Sequence, residues 1–243
     1  MSDNKLPVIK LTSFNTQHCL NFLEQKIDFD CMANAIKMCD ADIVGLNEMR
    51  DKGVDPAYDR QVAILSERTG MEHWYFAKAI DVNGENPYGN GLLSKLPIMK
   101  AETILIPPPD PAVYHGDYER RCILKAVLEG GITVLVTHFD LSPEEHENAV
   151  KTVLKYLEPQ KCILMGDFNL RPDNAALSPI RERMQDAASR FSTPLYSFPS
   201  DHPDRKIDYI FVSPDIDVIT ADIPAIIASD HRPHTATIKI RDI

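Results

Sequence analysis

Short apolar runs that read as β-strands recur along the chain, and several of them stop at a polar side chain. Val8 to Phe14 is followed by Asn15, Asp42 to Leu46 leads to Glu48, and Ile132 to Thr137 leads to His138. Cys162 to Met165 runs into Asp167 and Asn169, Ile207 to Val212 contains Asp208 at its start, and Asp230-His231 precedes Thr235 to Ile240. Gly91 to Ser94 and Cys122 to Leu128 are further runs of the same kind. In the last strand Ala236, Ile238 and Ile240 alternate with Thr235, Thr237 and Lys239, the period of a sheet with one covered face. Singly, each polar ending has an ordinary reading as a turn former, a cap or a solvated residue. Jointly they constrain the fold, because strands whose ends share one edge bring all of them into one cleft.

Helical patterns fall between the strands. Pro56 to Thr69 reads as a helix closed by Gly70, and Phe29 to Cys39 as an amphipathic one. Ser142, Pro143 and Glu145 form an N-cap, a first-turn proline and a capping-box glutamate ahead of an apolar stripe through Val150, Val153, Leu154 and Leu157. The prolines at 107–111 exclude regular structure there, and Trp74 in MEHWYFAKAI reads as core. One α/β domain over residues 1–243 is the expected organisation.

The balance of 26 Lys and Arg against 36 Asp and Glu, a net charge of −10, argues against a non-specific duplex DNA binder. The 5 cysteines lack the spacing of a zinc site or a disulfide framework and read as buried thiols. No segment has the length and apolarity of a signal peptide or membrane span, so a cytoplasmic, reducing setting is expected.

The polar endings have a defined chemistry. Carboxylate and amide oxygens without cysteine are hard ligands, suited to Mg²⁺ or Mn²⁺, which leave coordination positions open for water and phosphate oxygens. Histidines beside such an ion would transfer protons or contact phosphate. An acidic site of this kind points to phosphoryl chemistry.

The ordered series Asn15, Glu48, YGNGLLSKLPI, ERRCILKAVL, VTHFDL, GDFN, KIDYIFVS and SDHRP, spanning nearly the whole chain, resembles the endonuclease/exonuclease/phosphatase superfamily. Deoxyribonuclease I-like and exonuclease III-like enzymes belong to it, and this chain looks most like its uncharacterised bacterial members. The resemblance implies a four-layer αββα sandwich, two packed, mostly antiparallel sheets flanked by helices, with metal-dependent cleavage of a phosphate ester at one edge. It implies metal binding by Glu48 with Asn15 beside it and Asp230 completing the metal side. His231 would pair with Asp208, Asp167 would position or deprotonate water, and Asn169 would hold that water or a phosphate oxygen. His138 would stabilise phosphoryl charge, and Arg121 or Arg120 would contact phosphate. Either Asp167 or His231 would be the base. Tyr114 and Tyr118 do not match the catalytic tyrosine of the abasic-site endonucleases, and the loops at 81–90, 107–118 and 192–205 would set specificity.

The function expected is hydrolysis of a phosphomonoester or phosphodiester by a monomer. A DNA or RNA nuclease is the alternative, and a non-catalytic binding module stands behind both.

Overall fold

The computed structural model describes residues 8–112, 118–190 and 195–241. β1 (Val8–Asn15) is followed by a small hairpin, β2 (Leu20–Asn21) and β3 (Lys26–Ile27), then by α1 (Phe29–Met38) and β4 (Ile43–Arg50). α2 (Gln61–Thr69), β5 (His73–Val82), β6 (Asn86–Ser94) and β7 (Ile98–Leu105) come next. The second half runs through β8 (Cys122–Leu128), β9 (Ile132–His138), α3 (Pro143–Tyr156), β10 (Cys162–Asp167) and α4 (Ser178–Arg181). It ends with β11 (Gln185–Asp186), β12 (Asp208–Val212), β13 (Ile216–Asp222) and β14 (His234–Ile240).

The strands form two large sheets, ordered β13-β14-β1-β4-β6-β5 and β11-β12-β10-β9-β8-β7. Each sheet has one parallel pair at its centre, β1 with β4 and β9 with β10, and all its other neighbours are antiparallel. A parallel pair needs a crossover, and α1 and α3 supply the two.

Alternation along each strand builds the layers. Ile9, Leu11, Ile43, Val134, Val136, Ile163, Met165, Ile210 and Val212 point between the sheets into one apolar cluster. Their sequence neighbours point outward: Val44 and Leu46 meet Met32, Ile36, Val62 and Leu65 of α1 and α2. On the other side Leu135, Leu164 and Phe211 meet Val150 and Val153 of α3 and Ile180 of α4. Helix, sheet, sheet and helix layers follow from that period of two. Truncating a residue such as Leu164 to alanine would cost about 2–5 kcal/mol.

Several local expectations need correction. The second helix begins at Gln61 rather than residue 56, because Asp55 and Asp59 accept from the backbone N–H groups of Ala57 and Arg60 in side-chain-capped turns. Gly70 ends it with φ 73°, as expected. The capping box ahead of α3 is displaced, since Ser142 makes no side-chain cap and Glu145 Oε2 accepts from Asp140 N instead. Residues 81–90 are largely the β5–β6 hairpin rather than a loop. Gly89 belongs there because a Cβ would lie 2.0 Å from Ala77 O on the paired strand. Trp74 stays 43% exposed on β5, the sheet's edge strand, so it is not core. Tyr114 lies outside the described residues.

Candidate active site

The site is the inter-sheet core carried on to its edge. Asn15 continues the inward-facing series Ile9 and Leu11, and Asp167 continues Ile163 and Met165. His138 follows Val134 and Val136 in the same way, and Asp208 precedes Ile210 and Val212. At one end of the sandwich, polar side chains thus replace apolar ones without any change of strand face.

Glu48 reaches this edge by a different device. Its parity would send it outward with Leu46, but the β4–β6 register slips between Leu46 and Met49. Glu48 itself sits at φ 59°, a left-handed conformation uncommon outside glycine. Met49 resumes the outward face, so the bulge re-aims Glu48 alone, beside Asn15. Asn169 takes the same region at φ 51°, and its backbone N–H donates to Asp167 Oδ1 at 2.9 Å. Asp167 and Asn169 therefore come together through a tight turn, not along an extended strand. Phe168 between them is buried against Phe139, Tyr209 and Phe211, as its opposite facing predicts.

Asp167 Oδ2 is the meeting point. Asn15 Nδ2 donates to it at 3.1 Å, and His138 Nε2 and His231 Nε2 each lie 3.6 Å away. Asn15 Nδ2 also donates to Glu48 Oε1 at 3.0 Å, so one amide joins the carboxylates of the two sheets. Its oxygen accepts from Gln17 N at 3.1 Å, which fixes the amide with its NH₂ towards the carboxylates. Asn15 thus orients the acids and does not turn its oxygen to them.

His231 Nδ1 lies 2.8 Å from Asp208 Oδ2, the dyad expected, and Phe198 packs on the imidazole with ring centroids 4.7 Å apart. Asn169 Nδ2 donates to Phe139 O at 2.9 Å and lies 3.3 Å from His138 Nε2. Asp230 accepts from Ser229 Oγ at 3.0 Å and immediately precedes His231 in the chain. Arg121 is 8% exposed, held by Glu119 Oε1 at 2.8 Å and by His138 Nδ1 at 2.9 Å. Both contacts are made by Nη1, while the buried Nε has no hydrogen-bond partner among the described residues. Arg120 is exposed.

Burial governs the electrostatics. It pushes the Asp167 carboxyl above the usual carboxylate range, against the pull of His231. Burial would lower His231, but the Asp208 and Asp167 carboxylates outweigh it and raise the imidazole. His138 is lowered well below its ordinary value by burial, with Arg121 and His231 adding to the effect.

One residue of this end escaped the sequence reading. Asn47, fully buried, donates to Asn90 Oδ1 at 2.8 Å and Thr137 O at 2.9 Å and accepts from Asp167 N at 2.9 Å. The available signal was its position two residues beyond Gly45 on the inward face of β4.

Asp167, Asp208 and His231 offer ligand atoms that lie within 4.8 Å of one another. Glu48, whose Oε1 accepts from the same Asn15 amide as Asp167, adds a further carboxylate nearby. Cys19, Cys122 and Cys162 are buried free thiols, and burial pushes Cys122 up to about 12. A hard divalent cation fits such donors, and a thiophilic metal does not.

A cavity of about 750 Å³ lies elsewhere, lined by Val8, Lys95, Leu96, Ile132, Lys161 and Ile240. These residues sit at the opposite ends of the strands, far from the polar cluster. Among the described residues, no helix is long and apolar enough to cross a membrane.

The sequence profile described as the Endonuclease/Exonuclease/phosphatase family matches residues 12–231. No match was found among curated proteins. The fold is similar to an endonuclease/exonuclease/phosphatase from Beutenbergia cavernae DSM 12333 at TM-score 0.78 and 22% identity, covering 96% of this chain and 72% of that one. The mannosyl-6-phosphatase Bt3783 of Bacteroides thetaiotaomicron aligns at TM-score 0.73 and 15% identity, over 95% of this chain and 99% of the other. The human Nocturnin catalytic domain, solved with a bound sulfate anion, aligns at TM-score 0.66 and 15% identity, over 97% and 94% of the two chains.

Proposed function

Since the chain belongs to the endonuclease/exonuclease/phosphatase family, we propose that it hydrolyses a small phosphate ester with the help of Mg²⁺ or Mn²⁺. The observation that carries this reading is the convergence of Asn15, His138 and His231 on one buried oxygen of Asp167, beside the carboxylate of Glu48. Glu48 and Asp230 would hold the cation, with Asn15 keeping Glu48 in place. When bound, the cation would neutralise phosphate charge and polarise a phosphoryl oxygen. Asp167 would orient the attacking water, and Asn169, fixed by Phe139 O, would support that geometry. His231 would exchange a proton at Nε2 while Asp208 holds its Nδ1. His138 would donate from Nε2 to the phosphoryl group as charge develops.

A compact ester suits the surface better than duplex DNA. The net charge is −10, and surface cations such as Lys95 and Arg205 are paired with Asp42 and Asp204. The same fold is found in a protein named as a mannosyl-6-phosphatase, which fits the small-ester reading.

Turnover of phosphomonoesters, phosphodiesters and nucleic acids with added Mg²⁺ or Mn²⁺ tests the proposal. We expect chelation to abolish hydrolysis of a small ester, and physiological salt to reduce it only weakly, because few phosphates are contacted. Activity surviving exhaustive chelation would remove the metal. Efficient plasmid nicking at physiological salt without turnover of small esters would establish the nuclease instead.

A further inference from the structure

The two histidines facing Asp167 are built as opposites. Each presents Nε2 to the same Asp167 oxygen at 3.6 Å, and each uses Nδ1 to contact a buried ionic group. Behind His231 that group is a carboxylate, which can only accept. Behind His138 it is the Arg121 guanidinium, which can only donate and does not lose its protons in proteins.

We propose that Arg121 is a positioning residue whose guanidinium holds His138 in the neutral Nε2–H form, confining that imidazole to donating a hydrogen bond into the site. The argument is one of valence. Arg121 Nη1 lies 2.9 Å from His138 Nδ1 in a buried contact, so Nδ1 must offer its lone pair and the ring's single proton must reside on Nε2. A proton on Nδ1 would set two N–H groups against each other out of reach of water. Asn169 cannot take the Nε2 proton, because its Nδ2 is itself a donor engaged with Phe139 O. The His138 N–H is left for the Asp167 side of the cleft, where substrate would sit.

The guanidinium is anchored from behind. Glu119 Oε1 contacts Nη1 at 2.8 Å, and Asp140 Oδ2 lies 3.7 Å from Nε. Asp140 is itself fixed by the backbone N–H groups of Glu119 at 3.2 Å and Ser142 at 2.8 Å. The side chain expected to touch phosphate thus acts through the histidine. The burial and positive neighbours that lower His138 reinforce the neutral ring.

The catalytic consequence rests on the hydrolase reading; the tautomer does not, and the experiment separates them. Two-bond ¹H–¹⁵N correlation spectra of the wild-type chain, with His138 assigned from its loss in His138→Gln, should show a neutral Nε2–H ring at pH 7. An Nδ1–H or doubly protonated His138 would overturn the proposal without any Arg121 variant. Arg121→Met, of similar length but without donors, should release the tautomer preference. With Mg²⁺ and bis(4-nitrophenyl) phosphate it should lower kcat roughly ten- to a hundredfold at little change in KM, with Arg121→Lys restoring part of both. An Arg121→Met protein with the wild-type tautomer and kcat would also overturn it. Failure of the wild type to hydrolyse any ester counts against the hydrolase reading alone, while the spectra still decide the role of Arg121.

Discussion

The two central parallel pairs share one topology and deliver different chemistry. β1 and β4, joined through α1, end on Asn15 and Glu48; β9 and β10, joined through α3, end on His138 and Asp167. In the second pair the functional residues lie directly opposite each other, His138 beside Asp167 in register. In the first pair, Asn15 stands opposite Asn47, and Glu48 reaches the site only through a bulge. The second sheet places the buried His138 and Asp167 side by side, in the roles proposed for proton transfer and hydrogen bonding. The first delivers a half-buried carboxylate on strained backbone. A cation ligand must meet water and substrate oxygens, whereas a base or donor gains strength from exclusion of water. The same crossover thus serves two ends, with one residue of register as the difference.

The largest effect should come from the first pair. Glu48→Gln keeps size and fold but removes the charge, so metal-dependent turnover should fall roughly a thousandfold or more while the melting temperature holds. Near-normal turnover in this variant would assign the cation to the second sheet. The dyad on the second side comes next. Asp208→Asn should slow turnover by roughly two to four orders of magnitude, the cost of losing a histidine's orienting carboxylate. A rate within a few-fold of wild type would give Asp208 a structural role only.

The join between the halves should show in stability. Asn47→Ala strips partners from Thr137 O, Asn90 Oδ1 and Asp167 N. Urea denaturation should report a loss of about 2–4 kcal/mol, and an unchanged midpoint would mean that the sheets are held by apolar packing alone. The smallest effect is a pH dependence confined to the second half. Burial, helped by Asp140, pushes Glu145 from 4.5 up to about 7. The folded state then keeps a proton that the unfolded chain has lost, so this group's contribution is greatest below about 4.5 and disappears as pH rises through about 7. Glu145→Gln should remove that slope. The wild type should lose on the order of 1–2 kcal/mol more than the variant between pH 5 and pH 8, and equal slopes would show that Glu145 does not titrate there.

The central strands were legible wherever apolar alternation was strong, whereas the αββα layering came from the family resemblance. Edge strands were harder to read. β13 reads as IDVITAD and β7 as IMKAETIL, polar enough to pass for connection. The β5–β6 hairpin carries Pro87, Gly89 and Asn90, which resemble turn residues until a paired strand demands a glycine. Asn15, Glu48, His138, Asp167, Asp208 and His231 could be named because they end runs or sit in short motifs. Of their partnerships, the resemblance implied His231 with Asp208 and Asn15 beside Glu48, and the others could not be named. Asn47 meets Asp167 across 120 positions, and the Arg121 contact depends on which ring nitrogen faces it. Tertiary geometry decides such things, and no local pattern encodes them.

Asn47 also fixes where the two sheets are tied together. It bolts β4 to β9 and β10 just beneath Asp167, while the far ends of the sheets, at Val8, Leu96, Lys161 and Ile240, border an open pocket of about 750 Å³. The two sheets are thus tied by hydrogen bonds beside the cluster, at the end of the sandwich opposite that pocket. Misplacement of a reacting group by about 1 Å can cost a hundredfold in rate. The Asn47 bridge holds the Asp167 backbone where such a misplacement would cost most.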